Sequence, residues 1–330
     1  MTEHEGAEHQ GYGDWRSLAL AIKDAATKAA RDAGPGISAA TVDAQIRQAR
    51  FDRFLSRVFS AGKESEWLLK GGMSMLARVP RSRTTKDVDL ASLQAVDLAE
   101  AERALADLVD VDLGDHLTFR LIRSTPTGLG ENQPGLATRR YIFACIDVDH
   151  DTHIDTVTVD VVVGPPPAGR PEMVEPAYRL HLRRPLITHP YRLYPVADQI
   201  ADKVCATMDT NYPGGKRSSR VKDLIDLVVL AKTQTVDLDE LRAAIATKRA
   251  LSNIEPFGHF DIPADWTRTY PKTAKGVPAA ESVTAETAAD LVASFVNPAL
   301  DKISNPATWD PQTLTWNPAT SGPTAAPADA

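Results

Sequence analysis

Hydrophobic positions divide this chain into helical and extended stretches. At helical spacing, Leu18, Leu20, Ile22, Ala25, Ala26 and Ala29 predict an amphipathic helix from Trp15 to about Ala33, ended by Gly34-Pro35-Gly36. Ile46, Phe51, Phe54, Leu55, Val58 and Phe59 predict a second over Thr41 to Ser60, packed on the core. Further helices are expected over Asp97 to Val109, from near Val196, over Val221 to Lys232, over Thr235 to Leu251, and over Ala285 to Val296, the last stopped by Asn297-Pro298. Alternating patterns predict strands at Asp87 to Leu90 and at His116 to Ile122. They also predict a hairpin of Arg139 to Asp147 with Ile154 to Val163. Thr125 to Gly135 and Phe257 to Tyr270 read as loops, the second docking through Trp266. Beyond Ile303, Pro, Ala, Thr and Ser dominate, with Trp309 and Trp316 as anchors of a tail whose end is expected to be disordered. The expected class is α/β (α+β), a mixed central sheet flanked by helices with a mainly helical C-terminal domain. The expected divisions are 1–60, a helical segment packed on the core; 61–195, the core; 196–303, the helical domain; and 304–330, the tail.

Two short stretches carry chemistry. Lys70-Gly71-Gly72-Met73-Ser74 places two glycines at a helix start, where free backbone N–H groups and the helix dipole suit a polyphosphate. Asp87 and Asp89 then lie two apart on a strand, so their carboxylates share a face, an arrangement that suits divalent metals. Asp160 lies with Thr158 on one face of a strand whose Val157, Val159, Val161 and Val163 line the opposite face. A metal shared with Asp87 and Asp89 would account for it, and so would a salt bridge to Arg139 or Arg140. The turn Val148 to His153 holds Asp and His side chains that either ligate a metal or face water. Lys203 lies on the helix that opens near Val196, and Asp223 and Asp226 are neighbours on the next one. Between them, Pro213 to Arg220 is a basic loop containing Lys216, Arg217 and Arg220 and is the best candidate surface for a nucleic-acid backbone.

Composition narrows the choice. The 330 residues are 43% hydrophobic, enough for a core, and the net charge of −7 argues against polyanion binding by the whole surface. Cys145 and Cys205 alone make neither a disulfide framework nor a cysteine zinc site. With no apolar leader and no run long enough to span a bilayer, a cytoplasmic protein without membrane contact is expected.

Over about residues 50–300 the sequence resembles the AbiEii/AbiGii toxins of the DNA polymerase beta-like nucleotidyltransferases, a group that includes the mycobacterial MenT toxins. Lys70-Gly71-Gly72 leading to Arg83-x-Thr85-x-Asp87-x-Asp89 is similar to the first motif, Asp160 to the third carboxylate, and Lys203-Val204-Cys205-Ala206 to a Lys-Leu-x-Ala helix. Arg220-x-Lys222-Asp223-x-x-Asp226 matches a further motif. Two positions depart: Met73 stands where Ser or Thr often follows the glycines, and Thr210 where an Arg ends the Lys-Leu-x-Ala motif.

The resemblance implies a nucleotidyltransferase fold and transfer from a nucleoside triphosphate. Mg2+, with Mn2+ as a substitute, would be held by Asp87, Asp89 and Asp160. Gly71, Gly72 and Ser74 would cradle phosphates, Lys203 would neutralise pyrophosphate, Arg220 would bind the nucleotide, and Asp223 and Asp226 would orient Lys203, Arg220 or the nucleotide. It further implies a toxin–antitoxin system, Thr85 as a target of phosphorylation by the cognate antitoxin, and an RNA acceptor, first the tRNA 3′ end. Transfer to a protein or small molecule, and a noncatalytic nucleotide-binding module, remain open at this point.

Overall fold

A computed structural model describes residues 11–36, 41–127, 137–210, 218–301 and 305–318. The chain divides into two compact units, Met1–Pro195 with Ala274–Ser282, and Val196–Thr273 with Val283–Ala330.

In the first unit, α1 (Trp15–Ala33) is capped by Asp14, which accepts from the Ser17 N–H at 2.7 Å, and ends at Gly34 with φ +82°. Then follow α2 (Val42–Val58), β1 (Trp67–Lys70), α3 (Gly71–Arg78), β2 (Val88–Ser92), α4 (Leu98–Val109), β3 (Leu117–Thr127), β4 (Ala137–Asp147), β5 (Thr152–Val163), β6 (Glu172–Val174) and β7 (Tyr191–Leu193). The strands form one mixed sheet of seven in the order β3-β4-β5-β2-β1-β7-β6. Val88, Leu90, Val157, Val159 and Val161 pack with Phe51, Phe54, Leu55, Phe119 and Phe143 in one core. The alternation of valines in β5 therefore works as expected, with the core on one face and Asp160 on the other.

Several features of this unit depart from the sequence reading, among them β1, which has no expected counterpart. Thr125–Thr127 belong to β3, paired with Thr138–Arg140, rather than to a loop; residues 128–135 of that expected loop lie outside the described residues. The three-residue strands β6 and β7 were not expected, since their pattern is too short to show a period. Finally, α2 buries charge as well as an apolar stripe. Arg53 and Arg57, 2% and 0% exposed, converge on the fully buried Asp115 at 2.6–3.0 Å. Burial alone would raise the Asp115 pKa, but the two guanidinium groups hold it below the usual carboxylate range.

The second unit contains α5 (Val196–Met208), α6 (Val221–Thr233), β8 (Val236–Asp237), α7 (Leu238–Leu251), α8 (Trp266–Ala274), α9 (Ala285–Leu300), β9 (Ala307–Asp310) and β10 (Thr315–Pro318). It is mainly helical, with a small antiparallel sheet of order β10-β9-β8. Trp309 and Trp316 do anchor the C-terminal segment: the Trp309 indole donates to the Ala231 carbonyl at 2.7 Å and the Trp316 indole to Phe295 at 3.2 Å. Residues 319–330 lie outside the described residues. The stretch read as a docking loop turns helical at Trp266, and α9 runs through Pro298 to Leu300. A proline removes only one donor, and burial of Ala299 continues the apolar face beyond it. At the start of α7, Val236 and Asp237 are strand, and Asp237 caps the helix by accepting from Asp239 and Glu240 N–H at 2.9 Å.

Candidate active site

Strand pairing assembles the first part of the site. Lys70 on β1 lies opposite Asp89 on β2, Asp89 opposite Asp160 on the parallel strand β5, and Asp160 opposite Arg140 on β4. Residues directly opposite point to one side of a sheet, so four adjacent strands present a level row of charges: Arg140, Asp160, Asp89, Lys70. Asp87 precedes β2. Its Oδ1 accepts from the Thr85 hydroxyl at 2.7 Å.

The glycines explain how closely α3 meets this row. Gly71 starts the helix with φ +59°, and a Cβ there would lie 1.8 Å from Asp89 Oδ2. A Cβ on Gly72 would meet Thr85 Cβ at 2.7 Å. Both positions thus exclude a side chain for steric reasons, and Gly71 also needs its left-handed backbone. Ser74 is fully buried on the same helix.

Asp89 is the strained carboxylate. Burial is the largest reason its pKa is pushed up to about 6, and the charges of Asp87 and Asp160 add to the effect. Lys70 and Arg83 oppose it in part, and Lys70 also lies 4.2 Å over the Tyr194 ring. Asp160 is held differently. Arg140 donates from Nε to Asp160 Oδ1 at 2.7 Å and from Nη2 to Oδ2 at 2.6 Å, a bidentate pair that resolves the choice between Arg139 and Arg140. Arg139 instead stands 3.7 Å from Glu102.

Among the described residues, no group of three or more His, Cys, Asp or Glu is disposed to hold a metal as it stands. The donor chemistry nonetheless fits a hard divalent cation. The set is all oxygen, the carboxylates repel one another, and a guanidinium already stands on Asp160 as a cationic substitute. The Asp/His turn has its own partners: His150 Nδ1 pairs with Asp147 at 2.9 Å and His116 Nδ1 with Asp149 at 2.8 Å.

The second unit holds a separate cluster. Lys203 Nζ on α5 donates to Asp226 Oδ2 at 2.6 Å and lies 3.4 Å from Asp223 Oδ1, both on α6, while Arg220 Nε pairs with Asp223 Oδ2. Lys203 is 7% exposed and both aspartates are 0% exposed. Burial disfavours the charged form of Asp223, but Lys203 and Arg220 outweigh it and keep the carboxyl below its usual range. Lys216 and Arg217 of the expected basic loop lie outside the described residues. Arg179, between β6 and β7, binds Asp52 through Nε and Nη2 at 3.0 and 2.9 Å, a structural use.

Arg140 was visible in the sequence only as one of two possible salt-bridge partners, and Lys70 only as a neighbour of the glycines. No spacing rule pairs either with its aspartate; strand register does.

None of the curated proteins matches the sequence. Among solved structures, the chain is similar to the nucleotidyltransferase toxin MenT4 from Mycobacterium tuberculosis, at 13% identity and TM-score 0.49, covering 88% of this chain and 92% of that one. It is also similar to JHP933 from Helicobacter pylori, at 14% identity and TM-score 0.35, covering 81% and 87%. The family comparison reaches further. Residues 53–303, which include β1, the Gly-Gly helix start, Asp87, Asp89, Asp160, Lys203 and the Asp223/Asp226 pair, match the profile of the nucleotidyl transferase AbiEii toxins of type IV toxin–antitoxin systems, and the chain belongs to that family.

Proposed function

We propose that this protein is a Mg2+-dependent nucleotidyltransferase toxin that moves a nucleoside monophosphate from a nucleoside triphosphate onto an RNA acceptor, the tRNA 3′ end foremost, and so blocks translation. The observation that carries this reading is the in-register pair Asp89 and Asp160 beside a helix start whose Gly71 leaves no room for a side chain.

Asp87, Asp89 and Asp160 would hold Mg2+, or Mn2+ in its place. When bound, such a cation supplies charge stabilisation to the attacking and leaving oxygens. The N–H groups at the start of α3, from Gly71 and Gly72, receive the β- and γ-phosphates along the helix dipole, and Ser74 keeps that turn packed. Thr85 orients Asp87 through its hydroxyl. By the resemblance of its motif, Lys203 would take up charge from departing pyrophosphate; within its own unit Asp223 and Asp226 fix its ammonium, with Arg220 beside them. A toxin of this family implies a cognate antitoxin. Thr85 is our proposed point of control, because a phosphate on it would place a dianion against Asp87.

One incubation series tests the reading: purified protein, Mg2+, each labelled nucleoside triphosphate, and either total tRNA or a protein extract, with Asp87→Ala in parallel. Label on tRNA, reduced at least about a hundredfold in the variant, is the expected result. Label on protein would move the acceptor class, and no transfer to any acceptor would sink the enzymatic reading.

A further inference from the structure

The charged row contains more than a set of ligands. Asp160, the outer carboxylate, has both oxygens committed to Arg140 at 2.7 and 2.6 Å, and Arg140 sits directly opposite it on β4. Asp87 and Asp89 are met differently: Asp87 Oδ1 accepts a hydrogen bond from the Thr85 hydroxyl, and the charges of Lys70, which lies over the Tyr194 ring, and Arg83 act on Asp89. The Asp160 carboxylate is largely covered, at 14% side-chain exposure, whereas Arg140 is 40% exposed and has a route into solvent.

We infer that Arg140 is a resident counter-ion, which occupies Asp160 in the metal-free protein and must be displaced before Asp160 can join Asp87 and Asp89 on a divalent cation. The guanidinium fork takes one lone pair on each oxygen and sets its positive charge where a divalent cation would approach, so Coulomb repulsion makes the two cations compete for one carboxylate. Metal affinity is thereby set partly by the cost of breaking the pair. The inference rests on the metal reading of the three carboxylates given above.

The experiment is a Mn2+ titration of the full chain, read as free Mn2+ by electron paramagnetic resonance without nucleotide. Arg140→Met should bind Mn2+ about tenfold or more tightly than wild type, because a unit positive charge beside the carboxylates is gone. Arg140→Lys, which keeps charge but loses the fork, should fall between the two. Unchanged or weaker binding in Arg140→Met, with Asp89→Asn still abolishing it, would overturn the counter-ion and leave the metal reading intact. No Mn2+ bound by wild type or Arg140→Met would overturn both. Should Arg140→Met fail to fold, wild type decides: saturation with Mg2+ should raise solvent exchange of the Arg140 Nε proton about tenfold, as expected when a hydrogen bond opens, and an unchanged rate would overturn the displacement.

Discussion

At the scale of single residues, two glycines and one buried acid carry the sharpest expectations. Gly71→Ala places a methyl on Asp89 Oδ2 and asks alanine for φ +59°, so it should cost about 1–3 kcal/mol in denaturant unfolding and most of any transfer activity. At Gly72→Ala the clash is with Thr85, and the loss should follow the position of Asp87, which Thr85 holds. Asp115→Asn leaves Arg53 and Arg57 buried without their counter-charge and should cost about 3–5 kcal/mol at neutral pH. The sign with pH is set by its lowered pKa. The carboxylate's stabilisation is fully present above the unfolded value of about 4 and fades as pH falls through the lower folded value. The gap between wild type and Asp115→Asn, measured by urea unfolding, should therefore narrow in acid. Gly-Gly was legible in the sequence because one turn fixes its geometry, whereas of Asp-x-Asp only Asp89 lies on β2 and Asp87 stands just ahead of it. The burial of Arg53, Arg57 and Asp115 was not legible, because an arginine on a helix reads as solvated until its partner, about sixty residues away, is known.

Among the elements, most helices and long strands followed their periodicity; apart from α8 and the end of β3, both read as loop, errors gathered where an element is too short to have one. β6, β7 and β8 span three, three and two residues, and tertiary pairing alone creates them. Pro298 shows the opposite failure: a local stop signal lost to the packing of Ala299. The most consequential omission is the parallel pairing of β2 with β5, which no hairpin turn announces. At the C-terminal sheet, Trp309 is buried against Phe295, with ring centroids 4.7 Å apart, and bonded to Ala231. Trp309→Ala should cost about 3–5 kcal/mol and release β9 and β10 from α6 and α9, seen as lost amide protection over Ala307–Pro318.

For the molecule as a whole, the acidic balance sets how a polyanionic acceptor can be met. With a net charge of −7, binding must rely on a local patch, and affinity for tRNA should fall with salt by a slope reflecting only a few phosphate contacts. Filter binding between low and physiological salt measures it, and a slope near zero would argue against an RNA acceptor. The first unit is not a continuous piece of chain, since Ala274–Ser282 returns to it after most of the second unit has been passed. A fragment ending at Pro195 lacks part of its own unit and should unfold at lower denaturant concentration than the full chain.

Parallel pairing has a consequence for biosynthesis. Asp89 and Asp160 belong to neighbouring strands, yet β3 and β4 are made between them. A polypeptide still emerging from the ribosome therefore carries the first acids and the glycine turn long before the strand that brings the third. Products halted inside the intervening hairpin are expected to show no transfer activity, because the strand that brings Asp160, and after it the helix that carries Lys203, has not yet been made.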